Sequence, residues 1–194
     1  MFRNAVEHYT LASKLDSELK SIENGIGISY LRLVELGDNE ENKNINEAIR
    51  NFEMVLEKRP NFTQAIRSLG SAYEKVGRLD DAIEQYKREI KVEPNSFFAH
   101  TCLASAYLKK IDSEMCFLNR TEVYKPLTDA FSQEQILRFE KLLSLAEEEL
   151  QTARRIAPSR VDIYYRLGQI YTIKIIMLHS SGQEDRTESL IEAA

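Results

Sequence analysis

The chain has 194 residues, 43% hydrophobic and 29% charged, with 7 glycines, 4 prolines and a net charge of −5. That length can bury a sizeable core without disulfide staples, and the shortage of glycine and proline excludes a turn-rich β-sandwich or barrel. No apolar run approaches the roughly 18 residues of a membrane-crossing helix, so no membrane insertion is expected.

The N-terminal segment lacks the apolar core of a secretory signal. Its acidic residues Glu7, Asp16 and Glu18 argue against a mitochondrial presequence, and a soluble, cytoplasmic chain is expected. The 26 basic residues are scattered among 31 acidic ones. Binding to phosphate backbones needs a concentrated positive surface, so no nucleic-acid partner is expected. Cys102 and Cys116 fall on one predicted helix, where their 14-residue spacing spans about 21 Å, beyond disulfide reach. They read as buried thiols in a reducing compartment.

In chain order, Ala5-x-x-x-Tyr9-x-x-Ala12 places small and aromatic residues at helical spacing near the N-terminus. Glu23-x-x-Ile26-Gly27-x-x-Tyr30 predicts a second helix, and the polar stretch Gly37 to Ile45 predicts a solvated loop. Ala48-x-x-x-Phe52 then precedes Pro60. Apolar stripes predict helices over 63–76 (Ile66, Leu69, Tyr73, Val76) and 79–92 (Leu79, Ala82, Ile83, Tyr86, Ile90). Gly77 supplies the stop between them and Asp80 the new start.

Beyond Pro94, Leu103, Tyr107, Ile111, Met115 and Leu118 keep helical spacing for longer. Ser132-x-x-Gln135 reads as a capping box. Two long helices, about 97–119 and 133–157, are therefore expected to project as a hairpin closed by a loop holding Pro126. A helix from 161 to about 180 follows, and residues 185–194 resemble the start of another.

Pro60 and Pro94 lie 34 residues apart, while the Pro94–Pro158 interval is 30 residues longer. The unit between the first two contains Ile66-x-x-Leu69-Gly70-x-x-Tyr73, Ala82-x-x-x-Tyr86 and Pro94. This resembles the tetratricopeptide repeat, a 34-residue helix–turn–helix with the pattern W-x2-L-G-x2-Y, A-x3-F, P. The first-helix signature returns as His100-x-x-Leu103-Ala104-x-x-Tyr107 and Tyr164-x-x-Leu167-Gly168-x-x-Tyr171. The second-helix signature returns as Ala146-x-x-x-Leu150 before Ala153. Glu89 departs from the pattern, standing where a small buried residue is preferred.

The resemblance implies an all-α fold: a right-handed superhelical solenoid of antiparallel helix pairs, with one elongated helical hairpin. A single repeat domain over 1–194 is expected. Its units are a half repeat at 1–17, then 18–62, 63–96, 97–160 with the insertion, and a partial unit at 161–194.

No catalytic set is legible. His8, His100 and His179 are far apart, and the sequence has no CxxC, HExxH or Walker loop. Gly25-Ile26-Gly27 lacks the third glycine and the strand of a dinucleotide motif, and reads as helix packing. Most tyrosines, Tyr9 among them, fall on repeat-core positions. Neither an enzyme nor a cofactor or metal site is expected.

The resemblance implies instead a non-enzymatic scaffold that binds a partner protein or peptide in a concave groove lined by the first helices. Carried over by motif position, the groove residues are Asn24, Ile28 and Leu31; Arg67, Ser71 and Glu74; Phe98, Thr101, Ser105 and Leu108; and Tyr165, Arg166 and Gln169. Their mixed character suits a segment with apolar side chains and one acid. Of the basic residues with which part of the family clamps a terminal carboxylate, only Arg67 and Arg166 have counterparts, and Asp162 opposes that role. Two alternatives stand beside this reading. One is a substrate-recruiting or regulatory segment of a larger protein, including an enzyme. The other is a scaffold that self-associates through its terminal helices or hairpin.

Overall fold

A computed structural model describes residues 2–15, 22–35, 41–119 and 132–180. Among these residues there are eight α-helices and no strand: α1 (Phe2–Leu15), α2 (Ile22–Glu35), α3 (Glu41–Lys58), α4 (Thr63–Lys75), α5 (Leu79–Val92), α6 (Phe97–Asn119), α7 (Gln133–Ile156) and α8 (Val161–Ser180). The chain divides into two compact units, Met1–Pro94 and Asn95–Ala194.

In the first unit each helix packs on the next from α1 to α5, and α2 also touches α4. Ile66, Leu69 and Tyr73 of α4 and Ala82, Ile83 and Tyr86 of α5 are buried, as the spacing predicted. The close approach within a pair has a specific cause. A Cβ added at Gly70 would lie 2.7 Å from the ring of Tyr86, and one added at Gly27 would lie 2.7 Å from the ring of Phe52. Gly27 and Gly70 are thus seats for the aromatic side chains of the second-helix signature in their own units.

The joint between α4 and α5 is a Schellman motif. Gly77 adopts a φ of 75°, a conformation glycine tolerates without a Cβ penalty. Its N–H donates to the Glu74 carbonyl (3.1 Å), and the Arg78 N–H donates to the Tyr73 carbonyl (2.9 Å). Arg78 then lies over the Tyr73 ring, 4.3 Å from its centroid. The start differs from expectation: Arg78 holds the N-cap position, and Asp80 and Asp81 lie in the first turn, where negative charge meets the positive end of the helix dipole.

Two other expectations are corrected. Glu41 to Ile45 form the first turn of α3 rather than a loop, because Ile45 continues the buried stripe of Ala48, Ile49 and Phe52. Tyr9, expected in the core, is 41% exposed. Its ring meets Gly25 of α2, where an added Cβ would lie 2.9 Å from it.

In the second unit α6 packs on α7, α7 on α8, and α6 touches α8. Both long helices match their predicted bounds. The Ser132 side chain accepts from the Gln135 N–H (3.3 Å), and the Gln135 side chain accepts from the Ser132 N–H (2.8 Å), the reciprocal bonds of the capping box. His100, at the tryptophan-like position of the repeat, is buried, with its Nδ1 2.5 Å from Glu149 Oε2 of α7. The segments 36–40, the hairpin loop holding Pro126 and residues 185–194 lie outside the described residues.

Candidate protein-binding face

The first-helix residues of each unit occupy neighbouring helices, α2 with α4 and α6 with α8. In the first unit that face is largely internal. Asn24 and Leu31 are buried, while Ile28, Ser71 and Glu74 are half-buried. The Arg67 Nε donates to Glu89 Oε1 at 2.8 Å, and Glu89 is completely buried (0%). A lone buried carboxylate is costly, so Arg67 serves the fold first by neutralising it. That pairing also explains how the repeat accommodates a glutamate where a small residue is preferred.

The second unit presents more. Thr101 and Leu108 are buried, and Ser105 and Arg166 are half-buried. Phe98 is 46% exposed and Tyr165 is 69% exposed, and Gln169 is also exposed. The Phe98 ring stacks on Phe97 at 4.0 Å between centroids, and the Arg160 guanidinium lies over both rings, 5.1 and 6.0 Å from the centroids. Arg160 also donates two hydrogen bonds to Asp162, at 2.9 and 3.3 Å. Those bonds outweigh a small burial effect and hold the Asp162 carboxyl below the usual range. The result is an exposed aromatic patch edged by a fixed ion pair at the starts of α6 and α8. Val161, 79% exposed, belongs to this neighbourhood and was missed in the sequence, where a helix-opening valine has no distinctive signal.

Two clefts lie elsewhere in the first unit, away from most of these residues. One of about 360 Å³ is lined by Glu53, Leu56, Glu57, Leu69, Gln85 and Arg88. Another of about 200 Å³ is formed by α1, α2 and α3, around Val6, Tyr30 and Asn44. Among the described residues no group of three or more His, Cys, Asp or Glu side chains is placed to hold a metal ion, and no helix is long and apolar enough to cross a membrane.

The helical fold has structural counterparts among solved structures. MamA from Desulfovibrio magneticus RS-1 superposes with a TM-score of 0.63 at 17% identity, covering 99% of this chain and 86% of its own. TTC0263, a thermophilic tetratricopeptide-repeat protein of Thermus thermophilus, superposes with a TM-score of 0.52 at 20% identity, covering 86% and 71%. The fold is that of the tetratricopeptide-repeat proteins. In sequence, the tetratricopeptide-repeat domain-containing protein PYG7 of Arabidopsis thaliana, named as chloroplastic, is 31% identical over 81 residues. That segment is 42% of this chain and 24% of PYG7. No protein-family profile matches the chain.

Proposed function

We propose that the chain is a non-enzymatic tetratricopeptide-repeat scaffold, one repeat domain over 1–194, that binds a partner protein or peptide through its first-helix face. The observation that carries this is exposed Phe98 with the Arg160 guanidinium over its ring, together with exposed Tyr165 on α8. Tyrosine and arginine are among the residue types most enriched at binding hot spots, and phenylalanine is enriched at protein interfaces. A partner segment with apolar anchors and one acidic group matches the patch, and Arg166 and Gln169 extend it along α8. The net charge of −5 favours a protein over a nucleic acid. Plain thiols suit a reducing aqueous compartment, cytoplasmic in this proposal.

The test measures affinity for partners recovered from lysate with the wild-type chain, using Phe98→Ala together with Tyr165→Ala. Arg67 is unsuitable for this purpose, since removing it takes an ion-pair partner from the buried Glu89 carboxylate. The expected result is at least a tenfold loss of affinity at an unchanged melting temperature; full affinity in the double variant would remove the patch from the site. A second reading, an interaction segment serving a larger protein, draws on PYG7, of whose length the match is 24%.

A further inference from the structure

Among the described residues, three of the four first-helix signatures are covered and one is open. Gly27 and Gly70 seat Phe52 and Tyr86. Ala104 is fully buried, as is Leu150, the second-helix residue of its own unit. At Gly168 a Cβ would meet nothing within 4 Å among the described residues. Tyr164 shows the same openness: Ile66 and His100, at its repeat position, are buried, whereas Tyr164 is 48% exposed. Val161, Tyr164 and Gly168, spaced i, i+3, i+7, thus form an exposed uncharged stripe with a glycine seat in it. This stripe is one residue out of step with the Tyr165–Gln169 face of the groove.

The complementary piece is on α1. Ala5-x-x-x-Tyr9 is the same second-helix signature as Ala48-x-x-x-Phe52 and Ala82-x-x-x-Tyr86. Ala48, Phe52, Ala82 and Tyr86 are all buried, whereas Ala5 is half-buried and Tyr9 and Leu11 are exposed. Among the described residues α8 carries a seat without an aromatic, and α1 carries an aromatic that meets Gly25 of α2 but remains 41% exposed.

We infer that the stripe of α8 is an interface for a second copy of this chain, whose α1 docks there with Tyr9 in the Gly168 seat. The two helices then form a complete helix pair shared between molecules. Such a contact joins unlike surfaces head to tail, so it builds a growing chain or ring rather than a closed two-fold dimer. It stands independently of the groove reading.

The test is sedimentation of the full chain across the micromolar range. Wild type is expected to show an average mass that rises past twice that of one chain. Gly168→Leu fills the seat at an exposed position and should remain monomeric with helicity intact; Tyr9→Glu should do the same. Mixing these two variants leaves one intact seat and one intact Tyr9, and should give dimers and nothing larger. A wild-type chain that is monomeric at every concentration, as when a segment of its own chain fills the seat, would overturn the inference. So would association that survives both substitutions.

Discussion

At the scale of the residue, three glycines with the same motif position have different surroundings, and this decides what a methyl group does at each. At Gly70 the new Cβ would collide with the ring of Tyr86, which is buried. At Gly168 it would meet open space among the described residues. Replacing a mid-helix glycine by alanine without a clash stabilises by about 1 kcal/mol, whereas overpacking costs about 1–3 kcal/mol. Thermal denaturation at concentrations where the chain is monomeric should therefore show Gly168→Ala melting above wild type and Gly70→Ala below it. The glycine positions were legible in the sequence because the motif repeats. Their different surroundings were not, because the side chain facing each one comes from another helix. Glu89 teaches the same: its type conflicts with the pattern, and the position of Arg67, 22 residues earlier, helps to resolve the conflict.

Among the elements, joints and caps were the most legible, since they rest on short-range chemistry. Gly77 and Ser132 were identifiable from their residue types and neighbours alone, and the Schellman motif and capping box stand there. The start of α3 was not legible, because polar residues interleaved with Ile45 look like a loop until the buried stripe is seen. Between α7 and α8 a second kind of joint appears. The Tyr171 hydroxyl donates to Glu147 Oε1 at 2.8 Å, and the Lys174 ammonium bonds Glu147 Oε2. Burial works against the Glu147 carboxylate, but the bonds from Lys174 and Tyr171 and the lysine charge outweigh it, so its pKa lies below the ordinary value. A carboxyl with a depressed folded-state pKa contributes stability above its unfolded pKa of about 4.3, and that contribution is lost as pH falls through the folded value. Denaturant midpoints measured through the acid range should fall for wild type. Lys174→Met should flatten part of that fall, and the NMR titration of Glu147 should move to higher pH.

At the scale of the whole molecule, repeat proteins are stabilised by each helix pair and its neighbours rather than by one distant core. The first unit, Met1–Pro94, holds both of its glycine–aromatic seats, Gly27 with Phe52 and Gly70 with Tyr86, inside itself. Residues 1–94 expressed alone should therefore retain helical circular dichroism and a cooperative unfolding transition; a fragment without such a transition would show that the unit depends on residues beyond Pro94. Of the candidate site, the sequence correctly placed residues on first helices but not their accessibility. Asn24, Leu31, Thr101 and Leu108 are buried, because neighbouring helices cover them.

What the sequence by itself determined is the all-α class, the helix bounds from Thr63 to Ser180 within a residue or two, and the repeat phase. All of these follow from the 3.6-residue period and from glycine, proline and capping residues acting over a few positions. Which first-helix residues remain outside, which cation pairs with Glu89 and which glycine seat stays open among the described residues were decided only by the tertiary structure. Burial and pairing depend on side chains that lie tens of residues apart in the chain and meet only when the helices pack.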